Sequence, residues 1–192
     1  APAFRDKAIS LVLAGGLLAA VAGPKLASET RALLAVPFAG AYVALAAVAL
    51  LSMLCMAAIR FDAPPPRTAA SIRAGRSVGQ LLREPAFLVA TLGAALGYGV
   101  MNLLMAATPL AMQVCGYAFD DAALVLEWHV IGMFAPGFFT GHLIQRLGVL
   151  PVMGVGVLLN LACVAVALMG VDLHHFGTAL FLLAVGWDFL FP

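Results

Sequence analysis

The main pattern in the chain is six long apolar runs separated by short polar turns. The runs cover residues 8–27, 32–59, 85–112, 122–144, 151–169 and 176–191. A helix needs about 20 apolar residues to cross the roughly 30 Å hydrocarbon core of a bilayer. Five runs reach that length, and the sixth is truncated by the end of the sequence. The pattern therefore predicts an all-α protein, a polytopic membrane helix bundle with six transmembrane helices.

The composition agrees with a membrane protein, because 64% of the residues are hydrophobic and 10% are charged. A soluble domain would carry about 25% charged residues. The net charge of +1 and the lack of a basic patch interleaved with aromatic residues count against a nucleic-acid partner. The expected surroundings are a lipid bilayer.

The charges in the turns predict an orientation. If the helices alternate in direction, most cations share one side: Arg5, Lys7, Arg60, Arg67, Arg73, Arg76, Arg83 and Arg146. Lys25 and Arg31 lie on the other side with Asp120, Asp121 and Asp172. The positive-inside rule makes the first side cytoplasmic, together with the 60–84 loop and the N-terminal end of the chain. Within that loop, 71–83 can form a helix on the membrane surface or a solvated linker.

Small and special residues suggest how the helices pack. Glycines lie within the runs at 15, 16, 23, 93, 97, 99, 132, 137, 141, 154 and 156, and glycine lets helix backbones approach closely. Prolines 24, 37, 109 and 136 can bend or end a helix. Cys55, Cys115 and Cys163 form no CxxC pair, and we expect them to be small core residues. His174 and His175 are expected in a loop rather than in a metal site. No metal or cofactor is predicted.

One turn carries the strongest local motif. Gly141, Arg146 and Gly148 join the fourth and fifth runs in a stretch that allows a tight turn. Arg146 can also reach the last carbonyls of the preceding helix or a nearby acid. The stretch resembles the loop signature of the major facilitator superfamily, Gly-x-x-x-Asp-Arg-x-Gly followed by basic residues. Gln145 stands where that signature has Asp, and Val149 and Leu150 replace the basic pair.

A second stretch supports the same resemblance. Gly15, Gly16, Gly23 and Pro24 are similar to the signature of the fifth transmembrane helix in the family's drug and proton antiporters, although Lys25 departs from it. The resemblance implies helices 5–10 of a twelve-helix transporter. Residues 1–60 would be the last two helices of the N-terminal half, 61–84 the cytoplasmic loop between halves, and 85–192 the first four helices of the C-terminal half. The missing initiator Met and the end within an apolar run also suggest a piece of a longer protein.

Polar residues inside the runs are candidate functional residues, because they are costly in lipid. Asp188 lies about 12 residues into the sixth run, or about 18 Å along a helix, near the membrane midplane. With Trp187, Tyr98 and Asn102 it is predicted to line a cavity for substrate or a coupling ion; the alternative is an acid that only joins helices. Thr108 and Gln113 could extend that cavity. Asn160 is expected to bond between helices.

Glu127 and His129 lie near the start of the fourth run. They do not share a helix face, because side chains two positions apart point in different directions. Two interpretations stay open: charged or amphipathic residues at the membrane interface beside Trp128, or members of a gate or proton relay.

The resemblance implies a secondary active transporter that moves a small organic solute by alternating access. Protons are the expected coupling ion, and a bacterial inner membrane is the expected location. The alternatives are an integral membrane enzyme and a non-transporting scaffold or decayed gene product. The enzyme is disfavoured because the histidines are scattered, and because the nucleophile elbow, P-loop, dinucleotide fingerprint and HExxH motif are missing.

Overall fold

The computed structural model describes the backbone of residues 2–59 and 77–191, and the side chains of 11–59 and 77–191. These residues form eight helices: α1 (Pro2–Thr30), α2 (Ala39–Ala58), α3 (Val78–Leu81), α4 (Pro85–Val114), α5 (Phe119–Phe134), α6 (Gly137–Leu147), α7 (Val149–Met169) and α8 (Leu173–Leu190). The predicted all-α fold is confirmed in this part of the chain.

Long apolar helices match the six predicted runs. Among the described residues, α2, α4, α7, α8 and residues Leu11–Thr30 of α1 are long and apolar enough to span a membrane. The pair α5 and α6 gives a sixth candidate span, bent by 41°. The chain is therefore a multi-pass membrane protein, and the turns divide the bundle into two ends. We call the end with turns 31–38, 115–118 and 170–172 the Asp120 end, and the opposite end the Arg146 end.

The second run was predicted to be helical from residue 32, but α2 begins only at Ala39. Residues 31–38 form a compact turn in which the Phe38 N–H donates to the Arg31 carbonyl at 2.9 Å. Phe38 has a φ of 64°, a left-handed conformation that stops helix propagation. Pro37 contributes because it restricts the residue before it and has no N–H to donate. Hydrophobicity alone could not locate this turn, since its residues are mostly apolar.

The bend between α5 and α6 occurs at Ala135 and Pro136, within a run predicted as one helix. Proline removes one backbone donor and crowds the preceding turn. The backbone hydrogen bonds therefore change from a separation of four residues to one of three. Phe138 N–H donates to Ala135 O at 3.4 Å, and Phe139 N–H donates to Pro136 O at 2.8 Å. The Thr140 N–H, also bonded to Pro136 O at 2.9 Å, resumes the α-helical spacing.

The centre of the bundle is α8, which packs against α4, α5, α6 and α7. It meets α7 where two glycines face each other: a Cβ on Gly156 would lie 2.8 Å from the Gly186 carbonyl oxygen. It meets α5 at Gly132, where a Cβ would lie 3.0 Å from Ala184 Cβ. Close approach of backbones gives van der Waals contact, which holds helices together in lipid.

Helix α1 runs along α5 and the start of α6. A Cβ on Gly16 would lie 2.7 Å from the Phe134 ring, and one on Gly137 would lie 3.4 Å from Leu13. Helix α2 packs against α1, and Gly40 is its buried residue. Ala39, Ala41 and Ala44 are half-buried, and the other residues of α2 are exposed.

Several packing predictions need correction. Cys163 is buried as expected, but Cys55 and Cys115 are exposed, because the first lies on the mostly exposed α2 and the second ends α4. His174 and His175 begin α8 instead of lying in a loop. Asp172 precedes the helix, and its Oδ2 lies 3.7 Å from His175 Nδ1.

Only part of the loop between α2 and α4 can be compared with its prediction. Residues 60–76 lie outside the described part of the chain, and with them the first six residues of the possible surface helix at 71–83. The remainder forms the single turn α3, capped by Ser77, whose side chain accepts the Gln80 N–H at 3.3 Å.

Candidate functional site

Asp188 lies on α8 and is half-buried against α6. Thr140 Oγ1 lies 2.5 Å from Asp188 Oδ2 and 2.9 Å from the Pro136 carbonyl oxygen. Thr140 is seven residues before Leu147, where α6 ends, which is about 10 Å along the helix axis. The acid therefore lies about two turns from the Arg146 end of α6, and its depth in the membrane stays a prediction.

An aromatic cluster, defined as Tyr98, Trp187 and Phe191, lies between α4 and α8. The Trp187 ring centroid is 5.6 Å from that of Tyr98 and 4.0 Å from that of Phe191. Gly97 provides the room, because a Cβ there would lie 3.2 Å from the Phe191 ring. Tyr98 is 57% exposed, so the cluster is open on the Tyr98 side.

The structure brings together only some of the four residues predicted to line the cavity. Tyr98 and Trp187 are in contact. Asp188 turns toward α6 because successive helical residues point about 100° apart. Asn102 is exposed, and its side chain donates to the Tyr98 carbonyl of its own helix at 2.9 Å.

A separate cavity of about 540 Å³ lies at the Asp120 end between α1, α4 and α5. Its lining is mostly apolar and includes Pro24, Phe38, Pro109, Gln113, Tyr117 and Leu126. Three residues discussed from the sequence, Pro24, Pro109 and Gln113, thus line the same cavity. Thr108 is buried elsewhere on α4.

Polar side chains join α1 to α5 next to this cavity. We call Ser28, Arg31 and Asp120 the Asp120 cluster. The Ser28 hydroxyl donates to Asp120 Oδ1, and Arg31 Nη2 lies 3.3 Å from Asp120 Oδ2. The Arg31 guanidinium also lies over the Phe119 ring, 4.5 Å from its centroid. Charge pairing and a cation–π contact therefore hold the two helix ends together.

His129 is completely buried between α5 and α8, which contradicts the interfacial interpretation for this residue. Its Nδ1 lies 2.7 Å from the Leu180 carbonyl oxygen, and its buried Nε2 has no hydrogen-bond partner among the described residues. Glu127 is half-buried on another face, and Trp128 is 53% exposed.

Asn160 lies at the closest part of the α7–α8 contact. A Cβ on Gly186 would lie 2.6 Å from Asn160 Oδ1, and that oxygen accepts no conventional hydrogen bond within the described structure. The expected inter-helix hydrogen bond is thus replaced by close packing.

The two family-like motifs differ in their surroundings. Gly148 separates α6 from α7 with a φ of 87°, as the predicted tight turn requires. Arg146 lies in the last turn of α6, is exposed, and makes no hydrogen bond to another described residue. Around Gly15, Gly23 and Gly141, no described atom lies within 4 Å of an added Cβ, so these positions are not close packing contacts here.

Sequence reasoning missed Thr140, Ser28 and Phe191. Thr140 carried a usable signal, because it is a polar residue inside an apolar run, four positions after Pro136. A threonine in that position can bond to the carbonyl exposed by a proline bend. Its proximity to Asp188, 48 positions away, was not predictable from local pattern.

The fold and its polar groups define an α-helical, multi-pass membrane protein with an acid and an aromatic cluster within its spanning helices. The chain belongs to the Major Facilitator Superfamily, whose family model matches residues 1–192. This confirms the predicted family. It places the chain among membrane transporters and not among enzymes.

Two relatives show the extent of the similarity. The chain is 38% identical over 189 residues to a protein of Brucella anthropi named riboflavin transporter RfnT, covering 98% of this chain and 48% of the relative. It is 27% identical over 203 residues to an uncharacterized MFS-type transporter, YddS, of Bacillus subtilis, covering 96% of this chain and 46% of the relative. The chain thus spans about half the length of these curated relatives. No solved structure matches it significantly.

Proposed function

We propose that the whole protein transports a flavin-like heteroaromatic solute across a bacterial inner membrane, by alternating access coupled to protons. The observation that carries the proposal is the aromatic cluster, in which Trp187 contacts both Tyr98 and Phe191 and which is open on the Tyr98 side. The relative named as a riboflavin transporter supports the same class of solute.

The aromatic cluster suits a planar ring system. Aromatic pairs contribute about 0.5–1.5 kcal/mol beyond the burial of their area, and they favour offset or tilted contacts. Trp187 is inclined by 56° to Tyr98 and by 34° to Phe191, so the cluster offers ring faces and edges. A planar ring system can stack on these faces and edges over its whole area.

Alternating access requires two halves that separate at one end of the membrane while they close at the other. We assign residues 1–60 to the N-terminal half and 85–192 to the C-terminal half, with 61–84 between them. The α1–α5 contact is then a contact between halves, and the positive-inside rule makes the Asp120 end external. With the Asp120 cluster formed, the external end of this contact is closed.

Asp188 is the proposed proton-coupling residue. It lies within a spanning helix, where an acid is costly, and its carboxylate is bonded to a hydroxyl rather than to a cation. A carboxyl group in that setting can exchange a proton without breaking an ion pair. Gly141, Arg146 and Gly148 would contribute to the cytoplasmic face.

Uptake of labelled riboflavin by cells that express the full-length protein tests the substrate. Saturable uptake should be competed by flavins and not by sugars. Trp187→Ala should raise the apparent Km about tenfold, the effect of losing about 1.4 kcal/mol of stacking and contact, and Trp187→Phe should raise it less. Trp128→Ala is the matched control, because the exposed Trp128 lies outside the cluster. Uptake that Trp187→Ala leaves unchanged would refute the cluster as the binding surface.

Asp188→Asn tests the coupling. The variant should still exchange labelled for unlabelled solute, because exchange needs no net proton movement, but it should no longer accumulate solute against a gradient. If it accumulates solute like the wild type, with the same pH dependence, Asp188 only joins helices and the coupling acid is a different residue.

A further inference from the structure

Three donors lie close to one carbonyl at the bend between α5 and α6. The Pro136 oxygen is 2.8 Å from Phe139 N, 2.9 Å from Thr140 N and 2.9 Å from Thr140 Oγ1. A carbonyl oxygen has two lone pairs. All three donors therefore compete for this oxygen whenever the hydroxyl hydrogen points toward it.

The Thr140 hydroxyl has a second acceptor within reach. Asp188 Oδ2 lies 2.5 Å from Thr140 Oγ1, a distance typical of a hydroxyl bonded to a carboxylate. A threonine hydroxyl has one hydrogen and can donate it to only one of the two oxygens at a time. Which oxygen accepts the hydroxyl hydrogen depends on whether the Asp188 carboxyl group is ionised, and accepts, or protonated, and donates.

We propose that Thr140 is a positioning residue that transmits the protonation of Asp188 to the α5–α6 bend. With Asp188 ionised, Thr140 donates to Asp188, and the Pro136 oxygen keeps its two backbone donors. With Asp188 protonated, the carboxyl O–H donates to Thr140 Oγ1, and the Thr140 hydrogen turns to Pro136. One proton is taken up from water, one hydroxyl rotates, and no covalent bond of the chain breaks.

The angle of the bend can respond to this change, because the two helices that meet there are held separately. Helix α5 is fixed against α8 by Gly132 beside Ala184 and by the contact from His129 to the Leu180 carbonyl. Helix α6 is joined to α8 through Thr140 and Asp188. A third donor at the Pro136 oxygen weakens the backbone bonds that set the angle between the two helices.

Other titratable groups on the neighbouring helices are more distant or already bonded. His129 contacts Leu180, two turns before Asp188 on α8, and Glu127 lies further toward the Asp120 end. On α6, His142 and Arg146 occupy exposed positions beyond Thr140. The other described titratable side chains on α1, α4 and α7 are those of Lys25, Glu29, Tyr98 and Cys163. Tyr98 contacts Trp187 on α8, and Cys163 packs against Ala179 and Leu183 on the same helix. Within the described part of the chain, none of them forms a hydrogen bond or ion pair with Asp188.

This inference rests on the proposed proton coupling, but the hydrogen bond itself can be tested without transport. Infrared difference spectra of the purified full-length protein after a pH step contain the C=O stretch of protonated Asp188, identified by its loss in Asp188→Asn. Thr140→Val removes the hydroxyl and keeps the branched shape, so the band should move to higher wavenumber. Thr140→Ser should restore it. A band that Thr140→Val leaves in place would overturn the proposal.

The effect on coupling is measured in the same variants. Thr140→Val should lower the accumulation ratio about tenfold, the fold-change that matches one hydrogen bond to a charged group, while exchange continues. Thr178→Val is the control, since Thr178 is a threonine on α8, the helix of Asp188, and is exposed. In an Asp188→Asn background, Thr140→Val should have no further effect on accumulation.

The outcomes separate the two proposals. Wild-type uptake that does not depend on pH, together with a shifted infrared band, would refute proton coupling and leave the hydrogen-bond switch intact. Uptake that depends on pH equally in the wild type and in Thr140→Val would refute the switch and leave the coupling.

Discussion

Arg31 and Asp120 form an ion pair between the end of α1 and the first turn of α5, with 3.3 Å between Arg31 Nη2 and Asp120 Oδ2. The Arg31 side chain is 32% exposed and that of Asp120 is 61% exposed. A pair this accessible contributes about 1 kcal/mol or less. Such a contribution is too small to hold a fold together, but it suffices to change the ratio of two conformations by about fivefold.

Asp120→Asn in the full-length protein should therefore favour separation of α1 from α5 at the Asp120 end. Spin labels on the native Cys115 and on Ala35→Cys, with Cys55 and Cys163 replaced, would measure the distance between the two exposed turns. The longer-distance population should increase, and the charge-swapped pair Arg31→Asp with Asp120→Arg should reverse the change in part.

Asp121→Asn is the control for that experiment. It removes the same charge from the same helical turn, but the Asp121 carboxylate accepts from the Ala118 N–H of its own chain segment at 3.0 Å. An equal response in both variants would show that the helix end, and not the contact with Arg31, controls the distance.

Gly186→Ala should destabilise the α7–α8 contact. Its Cβ would lie 2.6 Å from Asn160 Oδ1 and 2.9 Å from the Gly156 carbonyl oxygen, and backbone cannot move aside cheaply. Overpacking of this kind costs about 1–3 kcal/mol. Thermal denaturation in detergent should show a lower midpoint. Gly154→Ala, which meets no described atom within 4 Å, should leave the midpoint nearly unchanged. Equal midpoints for both variants would contradict the observed contact.

Gly148→Ala should also lower the thermal midpoint, for a different reason. Gly148 has φ 87° and ψ 164°, a region used almost only by glycine, and other residues there cost about 1–3 kcal/mol. Gly141→Ala is the matched control, because Gly141 lies within α6, where alanine is the better helix former. A Gly148→Ala protein as stable as Gly141→Ala would mean that the turn does not need a positive φ.

The orientation can be tested by labelling intact cells. In a cysteine-free full-length protein, an impermeant thiol reagent should label His174→Cys, at the exposed start of α8, and not Thr68→Cys in the 60–84 loop. This follows from the concentration of Lys and Arg on the side of that loop. The opposite labelling pattern would reverse the proposed orientation.

The sequence by itself determined the class of fold. Apolar length is a property of one segment, and a bilayer imposes the same requirement on every spanning helix, so the six runs predict the spans without knowledge of their neighbours. The tight turn at Gly148 could likewise be predicted from a short stretch of sequence, because it depends on the conformation of one residue. The family resemblance depended on such local motifs, and it is confirmed. The roles assigned to Asp188, Trp187, Tyr98 and Asn102 stay predictions.

The tertiary structure decided which side chains meet. Trp187 and Asp188 are neighbours in sequence, yet they contact different helices because a helical residue is rotated by about 100° from the next. His129 looked like an interfacial residue and is buried, since its surroundings come from α8, about 50 positions later. The sequence did not identify Thr140 as a functional residue, because its partner Asp188 lies on α8, 48 positions later. Contacts between distant segments depend on how helices pack, and hydrophobic periodicity does not encode the rotation of one helix against another.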